Sequence, residues 1–187
     1  IVHALDRKDI LEMSRAPNPT RYVPDSVLHA SWVGYKEAVT KYPFQYERDI
    51  GKANALLDEA GYPKGGDGTR FKLRLIFERG RAELLKSSEI ISANLKGVGI
   101  AVELVPLDYP AFMEVREKTL NFDLMVSTAS FGPDSAGIAG LLHSSMIGVP
   151  GGYNAAGYKN PEMDELLDKA LVEPDIAKRA ALYAEVH

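Results

Sequence analysis

Between Ile50 and Val126 the chain moves back and forth between helical and strand-like hydrophobic spacing, and this order limits the folds open to it. Ile50, Ala53, Leu56, Leu57 and Ala60 fall on one helical face. Gly61 fits the left-handed end of that helix, and Pro63 blocks its continuation. Phe71, Leu73, Leu75 and Phe77 then alternate with Lys72, Arg74 and Ile76, the two-residue period of a strand. Leu84, Ser88, Ile91 and Leu95 return to helical spacing, ended by Gly97 and Gly99. Ile100 to Val105 reads as a second strand. Asp108 can cap a short helix carrying Phe112 and Val115. Phe122 to Val126 is a mostly apolar run suited to a strand buried on both faces. Helices and strands in this order predict an α/β fold with a sheet that is at least partly parallel.

The flanks are of two kinds. Ile1 to Met13 reads as one helix, with Val2, Leu5, Ile10 and Met13 recurring between charges. From Ser14 to Tyr46 periodicity is lost, and Pro17, Pro19, Pro24 and Pro43 punctuate an aromatic stretch that includes Trp32. So long an irregular connection is expected to be functional or to pack on something. A loop and weak helix follow the third strand, from Ser127 to His143, and Met146 to Tyr158 is Gly-rich. Asn160 caps a helix with Pro161 at its first position and Met163, Leu166, Leu167, Ala170 and Leu171 on one face. A last helix runs from about Asp175 to His187. The expected division is residues 1–46 as helix plus irregular segment and 47–187 as the α/β lobe. Both ends lie inside periodic segments, so the expectation is a piece of a longer protein.

Composition narrows the function classes. The 187 residues allow one domain with a substantial core. The formal net charge of -4 supplies no basic excess for a phosphate backbone, which disfavours nucleic acid as a partner. Cysteine is absent, so disulfides, thiolate metal sites and Cys nucleophiles are excluded. No apolar run approaches the roughly 20 residues of a membrane span.

Most candidate motifs have a plainer reading. Gly65-Gly66-Asp67-Gly68 leads from a helix into a strand, the wrong order for a phosphate cradle, and reads as a turn. His3, His29, His143 and His187 lack metal-ligand spacing. His143-Ser144-Ser145 invites a hydrolase reading, but neighbours in sequence do not by themselves make a base–nucleophile pair. Asp58-Glu59 and Asp164-Glu165 fall on polar helix faces and read as solvated charge. Arg79 and Arg81, between a strand and a helix, could meet a ligand carboxylate. Ser127 to Asp134 carries small hydroxyls and one ring after the apolar strand, a composition suited to gripping a small molecule. Trp32 could fill a groove or stack on a ligand.

Taken together, several stretches resemble the extracytoplasmic solute-binding proteins of peptide- and nickel-type ABC importers, family 5. Ala4 to Ile10 resembles the family's Ala-Ile-Asp-Arg helix, and Ala53 to Pro63 its Lys-Ala-x-x-Leu-Leu-x-x-Ala-Gly-Tyr-Pro segment. Gly97-Val98-Gly99-Ile100 resembles its Gly-Ile strand entry, and Phe122-Asp123-Leu124 its Phe-Asp-Leu strand. Gly157 to Leu167 resembles its Gly-Tyr-x-Asn-Pro-x-x-Asp-x-Leu-Leu segment, and Arg179 to Tyr183 the helix after it. The resemblance implies a lobe of the type II periplasmic-binding-protein fold, with a mixed sheet flanked by helices. It implies the truncated C-terminal lobe of a two-lobed monomeric receptor without catalysis or cofactor. Its partners would be a small solute and the permease subunits of an ABC importer, and its place periplasmic or extracytoplasmic. The N-terminal lobe, signal peptide and final return segments would lie outside this chain.

One departure bears on the ligand. Peptide-binding members continue after Phe-Asp-Leu into Trp-x-x-Asp-Tyr-x-x-Pro, whose Asp resembles an anchor for a peptide's α-ammonium. Here Ser127 stands at the Trp, Ser130 at the Asp, Phe131 at the Tyr and Asp134 at the Pro. A serine lacks the charge that a desolvated ammonium requires. The expected ligand is therefore a non-peptide organic solute, gripped by Ser130, Phe131, Asp134 and Trp32, with Arg79 and Arg81 as anion partners. The alternatives are oligopeptide or nickel binding through other anchors, a small α/β hydrolase or transferase domain, and a pure interaction module.

Overall fold

In the computed structural model, the residues described are 1–13, 26, 28–44, 46–129 and 134–187. Their helices are α1 (Arg7–Met13), α2 (Tyr35–Lys41), α3 (Ile50–Glu59), α4 (Ala82–Gly97), α5 (Tyr109–Glu114), α6 (Ala139–Leu142), α7 (Pro161–Val172) and α8 (Ile176–Val186). The strands are β1 (Phe71–Glu78), β2 (Ile100–Leu107) and β3 (Leu124–Val126). Short 3₁₀ turns occupy Val2–Ala4, Ser135–Ile138 and Ser144–Met146, and a π-helical turn, Val115–Thr119, continues α5.

The chain's contacts divide it into two compact units. Unit 1 comprises residues 1–23, 46–112 and 122–128, and unit 2 residues 24–45, 113–121 and 129–187.

Unit 1 is built on the sheet, in the order β2-β1-β3. All three strands run parallel, Phe71 pairing with Ile100 and Leu75 with Leu124. No antiparallel strand joins them among the described residues. The switch from α4 to β2 follows the expected glycines. Leu75, Ile76 and Phe77 are all buried, so central β1 is covered on both faces toward its C-terminal end. Asp123, inside the Phe-Asp-Leu stretch, accepts from Arg74 N–H at 2.7 Å while its own N–H donates to Arg74 C=O. That exchange fixes the register in which β3 joins β1. Ala4, Ala53, Leu57, Leu95, Val98 and Ile100 form the core beneath. Gly61 takes φ +85°, and Tyr62 N–H donates back to Leu57 C=O, the expected left-handed end of α3.

Unit 2 packs α2, α6, α7 and α8 around Leu28, Ala38, Ile138, Leu167, Ala170, Tyr183, Ala184 and Val186. Asn160 caps α7, accepting from Glu162 and Met163 N–H with Pro161 first in the helix, as expected. Asp175 caps α8 in the same way.

Two expectations are corrected. The helix read over 1–13 is broken at Leu5, which is extended. The cause is Asp6, whose Oδ1 accepts from Lys8 and Asp9 N–H and so starts α1 afresh. The aperiodic stretch 14–46 contains a helix, α2, which packs on α8. Gly34 precedes it at φ +87°, where a Cβ would stand 2.7 Å from Tyr183 Cβ. Only glycine permits so close an approach in that conformation.

Candidate functional site

In an open parallel sheet, ligand-facing groups collect beyond the C-terminal ends of the strands, where neighbouring connections diverge. In unit 1 those ends are Glu78–Arg81 after β1, Asp108 after β2 and Ser127–Thr128 after β3. Arg79 is held along β2. Its N–H donates to Leu107 C=O at 2.7 Å, its Nη2 lies 3.3 Å from Pro106 C=O, and its Nη1 lies 3.2 Å from Asp108. Arg81 grips Glu83 with Nε at 2.8 Å and Nη2 at 2.7 Å. Its Nη1 donates to Thr128 Oγ1 at 2.9 Å and lies 3.7 Å from Glu78. Both arginines expected to meet anions thus engage carboxylates of the protein itself.

In unit 2 the structure brings two of the expected residues to neighbouring backbone. Ser135 is fully buried and donates from Oγ to Val33 C=O at 2.6 Å. This bond sets the Asp134–Ser135 step against the Trp32–Val33 step. Trp32 is half-buried, packs on the unit 2 core and lies 6.1 Å, centroid to centroid, from the His29 ring. Asp134 Oδ1 accepts from Ala136 N–H at 2.9 Å, capping the 3₁₀ turn that follows. Its other oxygen lies 3.7 Å from Arg179 Nη2. Tyr183 is buried, and its hydroxyl has no partner among the described residues. Burial pushes its phenol up, the charge of Asp134 adds to that, and Arg179 opposes it. Ser130 and Phe131 lie outside the described residues.

The remaining motifs resolve as structural devices. Gly65–Gly68 is a turn, with Gly68 N–H donating to Gly65 C=O. Ser145 donates N–H to His143 Nδ1 at 3.1 Å and places its Oγ 2.7 Å from the same nitrogen, and Asp168 stands 3.4 Å from Nε2. The array imitates a catalytic triad. The same pairing recurs at His29 and Ser31, at 3.2 and 2.8 Å, so a His-x-Ser cap explains both. Asp58, Glu59 and Glu165 are exposed, as the solvated reading has it, and Asp164 is half-buried. Asp58 accepts from the buried Arg70, Glu165 pairs with Lys169, and Asp164 is held by Ser144 through N–H and Oγ. Those two bonds, with His143 nearby, hold Asp164 below the usual carboxylate range. Among the described residues no group of three His, Cys, Asp or Glu could hold a metal ion.

Asn154 escaped sequence reading. It is 1% exposed and clamps the Gly-rich stretch, donating to His143 and Tyr158 C=O and accepting from Tyr158 N–H. An isolated Asn in a Gly-rich run carries no local signal of such a role. A surface groove between α7 and α8 is lined by Val172, Pro174, Ala181 and Leu182 with charged neighbours, and none of the expected site residues lines it.

Comparison with known proteins gives a consistent result. The model of the family described as bacterial extracellular solute-binding proteins, family 5 Middle, matches residues 1–148. Heme-binding protein A of Haemophilus influenzae is 27% identical over 190 residues, covering 98% of this chain and 32% of its own. Oligopeptide-binding protein AppA of Bacillus subtilis is 29% identical over 196 residues, covering 98% and 34%. The crystal structure of the ABC transporter substrate-binding protein CtaP of Listeria monocytogenes superposes with a TM-score of 0.81 at 22% identity, covering 99% of this chain and 36% of that one, a likeness of fold. The chain therefore spans about a third of the length of these relatives.

Proposed function

The chain belongs to the bacterial extracellular solute-binding proteins, family 5, and from that premise we propose that it is part of the C-terminal lobe of an ABC-importer receptor. The match over residues 1–148 carries this reading. The two named relatives are named for what they bind, heme and oligopeptide, and neither for a reaction. In this proposal two lobes close on a solute, whose binding energy shifts the open–closed population, and the closed form presents the solute to a membrane permease outside the cytoplasm. Residues 47–187 are proposed as the body of the lobe and 1–46 as the segment entering it. No helix among the described residues is long and apolar enough to cross a membrane.

For the ligand we propose a non-peptide organic solute. Ser130 takes the place of the carboxylate that would pair with a peptide's ammonium. Ser130 exchanges hydrogen bonds with the solute, Phe131 and Trp32 pack on it, and Asp134 accepts from a hydroxyl. Oδ1 of Asp134 caps a turn, so in this reading the hydroxyl donates to Oδ2, which lies 3.7 Å from Arg179 Nη2. The test is a thermal-shift screen of the full-length protein against dipeptides, aromatic acids, opine-type compounds and Ni²⁺. A ligand at 100 times its Kd stabilises by about 2.7 kcal/mol. The expected hits are organic acids or opines. Strong stabilisation by ordinary dipeptides overturns the ligand reading, and a measured turnover lost on mutation of Ser145 overturns the receptor reading.

A further inference from the structure

Arg81 has a bonding pattern unlike that of a receptor for a free anion. Its Nε and Nη2 converge on a single oxygen of Glu83, Oε1, at 2.8 and 2.7 Å. Its Nη1 donates to Thr128 Oγ1 at 2.9 Å, 47 residues away in sequence, and faces Glu78 at 3.7 Å. One guanidinium therefore links three pieces of unit 1: the end of the central strand β1 at Glu78, the first turn of α4 at Glu83, and the exit of β3 at Thr128. A second bond at that exit is local, Ser127 Oγ donating to Thr128 C=O at 3.4 Å. β3 itself is only three residues long, Leu124–Val126, and its pairing with β1 ends at Val126. Residues 127–129 beyond it are exposed.

We propose that Arg81 is a positioning residue that pins Thr128 to the start of α4 and so fixes where the chain leaves the sheet after β3. The proposal rests on the reading that the loop opened by Ser127 and Thr128 serves ligand binding, and it changes the part Arg81 plays there. Arg81 acts through Thr128 and meets no anion itself. The planar fork is suited to the task because it leaves Nη1 projecting at a fixed angle once Glu83 is engaged. A lysine offers a single point charge and reaches Glu83 or Thr128, not both at the fork's geometry. Arg79 serves as the internal comparison. Its partners are Asp108 and the β2 carbonyls at Pro106 and Leu107, and it makes no bond to β3.

The experiment is methyl relaxation on full-length protein labelled at threonine methyls, read at Thr128, with Thr69 as a control in the same unit. The parent is expected to show an ordered Thr128 methyl axis. Arg81→Met is expected to drop that order parameter by about half, with Thr69 unchanged and the melting temperature within a few degrees of the parent. Arg81→Lys gives an intermediate value, and Arg79→Met leaves Thr128 as in the parent. If Arg81→Met does not fold, Glu83→Gln keeps the arginine but loosens the fork, and a smaller drop at Thr128 is expected. A Thr128 methyl that stays equally ordered in the folded Arg81 or Glu83 variant overturns the proposal, as does an equal loss in Arg79→Met. No solute enters this measurement, so it separates from failure of the ligand reading, which the thermal screen decides.

Discussion

Asp164 shows how a residue on a polar helix face comes to matter. It accepts from Ser144 N–H at 2.8 Å and from the Ser144 hydroxyl, and so ties α7 to the 3₁₀ turn 144–146. Both bonds favour the ionised form, which is why its carboxyl titrates below the usual aspartate value of about 4. The sign of the pH effect follows. A carboxyl with a lowered folded pKa contributes stability above its unfolded value and loses it as pH falls through the folded one. Asp164→Asn is therefore expected to melt below the parent at pH 7. The gap should shrink as both proteins are taken to about pH 3. Melting curves across that range check this, and a gap that stays constant would show that the Ser144 contacts do not depend on charge.

At the scale of the element, α3 shows where sequence reading succeeds and where it stops. Its face and its left-handed glycine end are local patterns, legible in Ile50 to Pro63, while its cap, Asp49 accepting from Lys52 N–H, went unread. β1, α4 and the Asn160 cap of α7 were equally legible. What ends α3 in space was not legible. Arg70, whose side chain is 1% exposed, donates from Nε to Val98 C=O at 2.8 Å and from Nη2 to Asn54 at 3.0 Å, and from Nη1 to Asp58 and Tyr62 C=O. It thereby joins the last turn of α3 to the end of α4 across chain separations of 8 to 28 residues. A lone arginine before a strand gives no hint of partners that only folding brings near. The same reason hid the bonds of Arg81 and Asn154, and α2 was missed because its stability comes from packing on α8 and not from its own period. Replacing Arg70 with Met leaves two carbonyls, an amide oxygen and the Asp58 carboxylate without their donor, at a cost of about 3 kcal/mol. Chemical denaturation should show that loss with little change in the slope. A loss under about 1 kcal/mol would mean that water replaces the guanidinium.

At the scale of the whole molecule, the decisive fact is that each compact unit is assembled from three separate stretches of chain. One crossing, between residues 45 and 46, falls beside the division at 46/47 that the sequence suggests, yet the residues before it fill both cores. Ala4 is fully buried in the core of unit 1, where the 3₁₀ turn Val2–Ala4 meets α3. Leu28 and Ala38 are 1% and 0% exposed in the core of unit 2, and Gly34 lets α2 lie directly on α8. Removing residues 1–46 thus strips α2 from α8 and opens a hole beside Tyr183, while also uncovering Leu57 and Leu95. Burying a single leucine is worth about 2–5 kcal/mol when cavity formation is included, and domains hold together by only about 5–15 kcal/mol. Losing several such contacts in both units exceeds that margin. The prediction is that a chain of residues 47–187 lacks a cooperative unfolding transition under conditions where residues 1–187 show one. Denaturant titration followed by circular dichroism compares the two, and adding a peptide of residues 24–45 in trans should restore part of the unit 2 signal. A sharp transition from 47–187 alone would make residues 1–46 an appendage of a self-sufficient lobe, and the packing of Leu28 and Ala38 incidental to its stability.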